Sequence, residues 1–243
     1  MQSPFANIPP VVKNLLIINI ICFLPSLYYS HGFADPGFDP VATHFGVYYF
    51  DSPNFHPWQL ITYMFLHGGW THILFNMFAL FSFGPHVEYI MGSKRFFNFY
   101  FICGFGAIAL QMLVQAFEVH GITGGFTLAN STSDLSYMQY GANAQKLYDI
   151  YHGNMVGASG AIFGVLIAFG MIYPNAELMI MFIPVPVKAK YIIPVYVLIE
   201  LGLGVGQFGG DNVAHFAHLG GALIGFLLVK VWHLQGPPKD LYS

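Results

Sequence analysis

The sequence predicts an all-α membrane protein, a single bundle of six transmembrane helices with an embedded first outer loop. Low charge and six apolar runs predict it. Only 8% of the 243 residues are charged, 56% are hydrophobic, 18% are aromatic, and the mean hydropathy is +0.58. A water-facing domain carries about 25% charged residues, so most of this surface must face something else. The apolar runs fall at about 11–29, 70–90, 95–118, 154–173, 189–207 and 212–233. Each is close to the roughly 20 residues needed to cross the hydrocarbon core of a lipid bilayer. The whole chain, 1–243, is expected to form one membrane domain.

The first run lacks a small-residue cleavage site and continues too long for a signal peptide, so it is expected to be a retained span. Basic residues set the orientation. With the N-terminus cytoplasmic, Lys13, Lys94, Arg95, Lys188, Lys190, Lys230 and Lys239 share that side and only Lys146 lies opposite. Six spans return the C-terminus to the cytoplasm. Residues 30–69, with Phe55, Trp58 and Tyr63, suit an interfacial, partly embedded outer loop. Residues 119–153 are rich in Gly, Ser, Thr and Asn and are expected to be a mobile loop carrying the sequon Asn130-Ser131-Thr132. Cys22 and Cys103 sit in apolar runs and read as small buried hydrophobes. The net charge of −3 gives no sign of nucleic-acid binding, and no internal repeat suggests a transporter built from inverted halves.

The second, fourth and sixth spans all run inward, so their N-terminal ends share one face. Each carries polar residues near that end: His72 and Asn76, Ser159, and His215 with His218. At 1.5 Å per residue these lie roughly 3–10 Å below the helix starts. Polar groups at membrane depth are costly and usually functional. His72 and Asn76 share a helix face at i, i+4, and His215 and His218 do so at i, i+3. Gly160 and Gly164 on one span, with Gly221 and Gly225 on the other, would let two backbones approach closely. That approach would bring Ser159 within reach of an imidazole, which a serine hydroxyl needs in order to attack an amide. The blander readings are a serine bonded to its own i−4 carbonyl, simple glycine packing, and a histidine satisfied by a neighbour or a metal.

Several segments resemble the rhomboid intramembrane serine proteases. They are Gly157-Ala158-Ser159-Gly160-Ala161, then Ala217-His218-Leu219-Gly220-Gly221-Ala222-Leu223-Ile224-Gly225, and His67-Gly68-Gly69-Trp70-Thr71-His72-Ile73-Leu74-Phe75-Asn76. Glu88 to Phe96 is similar to that family's turn between the second and third spans. The resemblance implies that Ser159 is the nucleophile and His218 the general base and later acid. It implies that His72, Asn76 and the Ser159 backbone N–H stabilise the oxyanion, with His67 in a structural hydrogen-bonding role. Gly157, Gly160, Gly221, Gly225 and Phe163 would support the site. No acid is required as a third member, and none lies within a turn of His218; Asp211, seven residues earlier, reads as a loop or helix-start residue rather than an orienting carboxylate. His215 competes for the role of base, and the glycines three and seven residues after His218 favour the latter.

Two positions depart from the family pattern. Phe163 stands where a tyrosine is common, and Trp58-Gln59 replaces Trp-Arg, which bears on how the first outer loop is stabilised. The implied activity is hydrolysis of a peptide bond in single-pass membrane protein substrates near the outer boundary, with no metal or cofactor. The fifth span and residues 205–213, with Gly202, Gly204, Gly206, Gly209 and Gly210, would form the lateral gate and cap. The expected location is a bacterial inner (cell) membrane. A zinc protease is excluded by the lack of His-Glu-x-x-His, and an aspartyl mechanism by the lack of aspartates in the spans. A non-catalytic relative that escorts membrane helices would be expected to lack the serine or histidine.

Overall fold

The computed structural model describes residues 8–29, 39–128, 135–180, 183–206 and 214–236. Six long helices account for the expected runs: α1 (Pro10–Tyr28), α4 (Trp70–Met91), α5 (Ser93–Thr123), α8 (Ser159–Ile172), α9 (Ala189–Gly206) and α10 (His215–Val231). Of these, α1, α5 and α9 are long and apolar enough to cross a membrane, while α8 and α10 are shorter apolar helices. Between them lie α2 (Pro40–Phe45), α3 (Gln59–Thr62), a 3-10 turn at Tyr63–Phe65, α6 (Leu135–Met138), a 3-10 turn at Gly141–Asn143, and α7 (Ala144–His152).

The centre of the bundle is α8. Fourteen residues span about 21 Å at 1.5 Å each, less than a bilayer core, and ten of them are buried. A helix apolar all round belongs inside other helices rather than on a surface, and α4, α5, α9 and α10 surround this one. The tightest crossing is with α10, where a Cβ on Gly221 would overlap the Gly160 carbonyl and one on Gly225 would stand 2.7 Å from the Gly164 Cα. On the other side of α10, a Cβ on Gly220 would come within 2.5 Å of the Gly106 carbonyl of α5. Small residues at these crossings replace side-chain volume with direct backbone contact, which is how membrane helices pack without a hydrophobic drive.

Helix α1 is fastened by a carboxylate. Glu88 of α4 is 1% exposed and accepts from the N–H groups of Val11 (3.1 Å) and Val12 (2.8 Å), with Ser93 Oγ donating to it at 2.7 Å. The first N–H groups of a helix have no internal acceptor and carry its positive dipole end, so a buried anion is stabilised there.

Three expectations change. The fourth run does not begin as helix at 154: α8 starts at Ser159, and Met155 instead pairs as a bridge with Val47. The 119–153 segment is not a structureless loop. Helix α5 continues to Thr123 and α7 packs Leu147, Ile150 and Tyr151 with Tyr49, Val119 and Tyr137 in a second small core. Lys146 of α7 reaches Glu118 of α5 at 2.9 Å. The sequon at 130–132 lies outside the described residues, as do Asp211 and most of the expected cap, residues 207–213. A two-stranded antiparallel hairpin, β1 (Glu177–Ile180) with β2 (Ile183–Lys188), links α8 to α9 and was not expected.

The first outer loop is well anchored despite the missing arginine. Gln59 is fully buried: its Oε1 accepts from the His56 N–H (2.9 Å), and its Nε2 donates to Asn54 O (3.0 Å) and His44 O (3.2 Å). The amide thus ties three points of the loop together without burying a charge.

Candidate active site

Ser159 is the first residue of α8, set there by an extended approach through Gly157. Gly157 has φ of +141° and donates its N–H to Tyr63 O at 2.9 Å. A Cβ at Gly157 would stand 2.9 Å from His72 Nε2 and 3.4 Å from Ser159 Oγ. Both the backbone angle and the space therefore call for glycine. Ile162 N–H bonds Ala158 O (3.0 Å), the start of the helical ladder. The Ser159 N–H precedes that bond, among the N–H groups that have no helical acceptor.

His218 lies one turn into α10, across the glycine crossing. Its Nε2 is 2.8 Å from Ser159 Oγ. Phe163 lies flat on the imidazole, with centroids 4.4 Å apart and planes 8° apart, and Tyr196 of α9 packs on Phe163 at 5.1 Å. Gly160, Gly164, Gly221 and Gly225 make the approach possible by the contacts above. His215 Nδ1 lies 2.7 Å from Glu200 Oε2.

Glu200 is the residue beside His218 that sequence reasoning missed. It comes from α9, is 5% exposed, and places the same Oε2 2.9 Å from His218 Nδ1. A carboxylate accepts, so each Nδ1 is the protonated nitrogen, and the His218 Nε2 is left to accept from Ser159. Glu200 stands 18 residues before His218, on another helix, beyond the turn around His218 that the sequence reading considered. Glu200, His215 and His218 have ligand atoms within 4.8 Å of one another, the one cluster among the described residues with a metal's donor set. Both Nδ1 atoms stand at N–H···O distance from one oxygen, which the two hydrogen bonds account for in full.

On α4, His72 Nδ1 accepts from the Gly68 N–H at 3.4 Å, which leaves its Nε2 as the N–H that faces Gly157 and the serine. Asn76, one turn on, is 7% exposed, and its Nδ2 is a buried donor with no protein partner among the described residues. His67 is placed differently from expectation. Neither ring nitrogen bonds a described residue; instead the ring packs edge-on against His72 at 5.1 Å. Burial first, and then the neighbouring His72, push its pKa down to about 3, so it packs as a neutral ring.

A cavity of about 520 Å³ opens beside the serine. Asn76, Ser159 and Tyr196 supply its polar groups, and Phe78 and Ala79 of α4 and Ile192 and Val195 of α9 are among its apolar lining. It is a slot between two helices, apolar along its length and polar where the serine sits.

The Rhomboid domain family model matches residues 54–235, which contain every residue of this site. The chain is 32% identical over 187 residues to the rhomboid protease AarA of Providencia stuartii, covering 75% of this chain and 58% of that protein. It is 30% identical over 171 residues to the putative rhomboid protease YdcA of Bacillus subtilis, covering 70% and 65%. With RHOMBOID-like protein 4 of Arabidopsis thaliana it shares 31% over 171 residues, 70% of this chain and 33% of the relative. The chain thus spans a third to about two thirds of the length of these relatives. A family model matched over three quarters of the sequence, by a helical bundle with these residues at its centre, means that the chain belongs to the rhomboid family.

Proposed function

We propose that the chain is an intramembrane serine endopeptidase that hydrolyses a peptide bond of single-pass membrane protein substrates near the outer membrane boundary. The observation that carries this reading is the 2.8 Å contact between Ser159 Oγ and His218 Nε2, beside an apolar cavity. Ser159 Oγ attacks the scissile carbonyl while His218 Nε2 takes its proton. His218 then gives that proton to the leaving amine as the C–N bond breaks. A water molecule, deprotonated by the same nitrogen, attacks the acyl-enzyme and releases the second product with Ser159 restored.

The tetrahedral oxyanion is stabilised by His72 Nε2–H, Asn76 Nδ2–H and the Ser159 N–H. An unpartnered amide donor at the polar end of the cavity supports that assignment, since a buried donor costs free energy until something accepts from it. The neutral character of all three donors suits a site from which substrate must leave as well as enter. The substrate helix enters the slot between α4 and α9 and unwinds locally, because a helical amide is hydrogen-bonded and shielded. Both termini of the single membrane domain face the cytoplasm, in keeping with seven of eight basic residues on that side.

The test is cleavage of a model single-pass substrate by purified protein in liposomes. Ser159→Ala should abolish turnover and labelling by a fluorophosphonate probe, whose adduct on the parent protein maps to Ser159. Undiminished cleavage by the alanine variant would overturn the reading.

A further inference from the structure

Glu200 stands where a carboxylate is hard to account for by packing. It lies in an apolar stretch of α9 that runs Val195-Tyr196-Val197-Leu198-Ile199 before it and Leu201-Gly202-Leu203 after it. The buried residues of α9 are Ala189, Ile193, Glu200 and Gly204, one stripe at helical spacing. The remaining surface of the helix is largely exposed, with Val195, Leu198 and Val205 each more than half accessible. Glu200 is therefore the polar point by which α9 is held to α10. Gly204 lies alongside it, where a Cβ would meet His215 Cβ at 3.2 Å.

A buried carboxylate persists only when it is paired and fully hydrogen-bonded. Here one oxygen accepts from two imidazoles, His218 at 2.9 Å and His215 at 2.7 Å. The bond to His218 sets three things. It places the ring proton on Nδ1, so that Nε2 can accept from Ser159. It fixes the ring plane that Phe163 covers. It also compensates the positive charge that His218 gains when it takes the serine proton. His215, one turn earlier on α10, donates to the same oxygen. Among the described residues, His72 from α4 and Ser159 from α8 also approach His218, and neither is an acid.

We propose that Glu200 is a positioning residue for His218, making the centre a Ser–His–Glu chain whose acid is carried by the helix that walls the substrate cavity. Displacement of α9 away from α10 withdraws the carboxylate and leaves the base without its orienting partner. Correct seating of α9 is then a condition for chemistry as well as for access. This inference rests on the Ser159–His218 reading and extends it.

The experiment uses the full chain in liposomes, with Ser159→Ala and the isosteric Glu200→Gln beside the parent. An amide can donate to Nδ1 and so favour the wrong tautomer. Glu200→Gln should therefore lower kcat by about 10²–10⁴-fold, with KM within about threefold of the parent. Nitrogen-15 spectra of histidine-labelled parent protein should show His218 protonated at Nδ1 and bare at Nε2, a signature that a merely structural acid would not set. Parental kcat in Glu200→Gln overturns the proposal, as does the opposite His218 tautomer in the parent, which is read without any variant. So does a variant that melts lower but keeps parental kcat per probe-titrated site. Loss of parental activity to a chelator, restored by zinc, would make the three side chains a metal site and also overturn it. An active Ser159→Ala would instead remove the protease reading itself, whereas an inert Ser159→Ala beside a fully active Glu200→Gln removes only this inference.

Discussion

Asn76 holds a buried amide whose Nδ2 has no partner among the described residues, and it shares a cavity with Ser159, whose Oγ lies 2.8 Å from His218 Nε2. A donor kept free in this way contributes little until negative charge develops in front of it. Asn76→Ala should lower kcat by about 10²–10³-fold, the usual cost of one oxyanion donor. Its KM and melting temperature should stay near parental values, as measured on the liposome substrate and by thermal unfolding in detergent. His67 makes a separate prediction. Its pKa is near 3 in the folded protein, chiefly through burial, against an ordinary 6.5. The unfolded chain therefore binds a proton that the folded chain refuses between those values, and stability falls as pH drops from about 6.5 toward 3. The slope is about 1.4 kcal/mol per pH unit. Thermal melts from pH 7 to pH 4 should show this loss, and His67→Phe should reduce it. At this scale Ser159, His218, His72 and Asn76 stood out because each interrupts an apolar span. Glu200 interrupts one just as plainly. An ionisable residue in mid-span is a functional candidate with a partner to be found, and the partner lay on another helix.

Elements carry the next level of constraint. The Ser159–His218 contact crosses the α8–α10 interface, and that interface is backbone against backbone at Gly221. A Cβ there meets the Gly160 carbonyl, which cannot rotate away as a side chain would. Gly221→Ala should force the two helices apart, costing about 1–3 kcal/mol as overpacking. It should also lower kcat/KM by about 10²-fold, since a reacting pair misplaced by even 1 Å loses that much. Gly202 of α9 is the control: a Cβ there meets nothing within 4 Å. Gly202→Ala should leave activity unchanged and melt at or slightly above the parent, because alanine favours a helix interior over glycine. Four of the six long helices lie within two or three residues of the apolar runs that announce them. The exceptions have physical reasons. Helix α8 begins late because Gly157 needs a φ no helix uses, and α5 runs on because its last two turns pack against α7. Helix α7 itself carries Leu147, Ile150 and Tyr151 at i, i+3, i+4, a periodicity hidden in a segment whose composition reads as loop.

At the scale of the whole molecule, α8 is too short to cross a membrane alone and is sheathed by its neighbours. The serine at its N-terminal end lines the slot between α4 and α9, the entry proposed for substrate. The slot is roomy enough, at about 520 Å³, for several side chains of an unwound segment, and falls within the range of ordinary ligand sites. A small probe needs only the polar end, whereas a transmembrane segment must fill the apolar length as well. Filling that length should separate the two. Ala79 lines the slot from α4, one turn beyond Asn76. Ala79→Trp should reduce cleavage of the single-pass substrate more than about tenfold, while fluorophosphonate labelling of Ser159 proceeds within about threefold of the parental rate. Equal loss of both would mean that the tryptophan had disturbed the serine. Equal retention of both would mean that substrate reaches the serine by a route other than this slot.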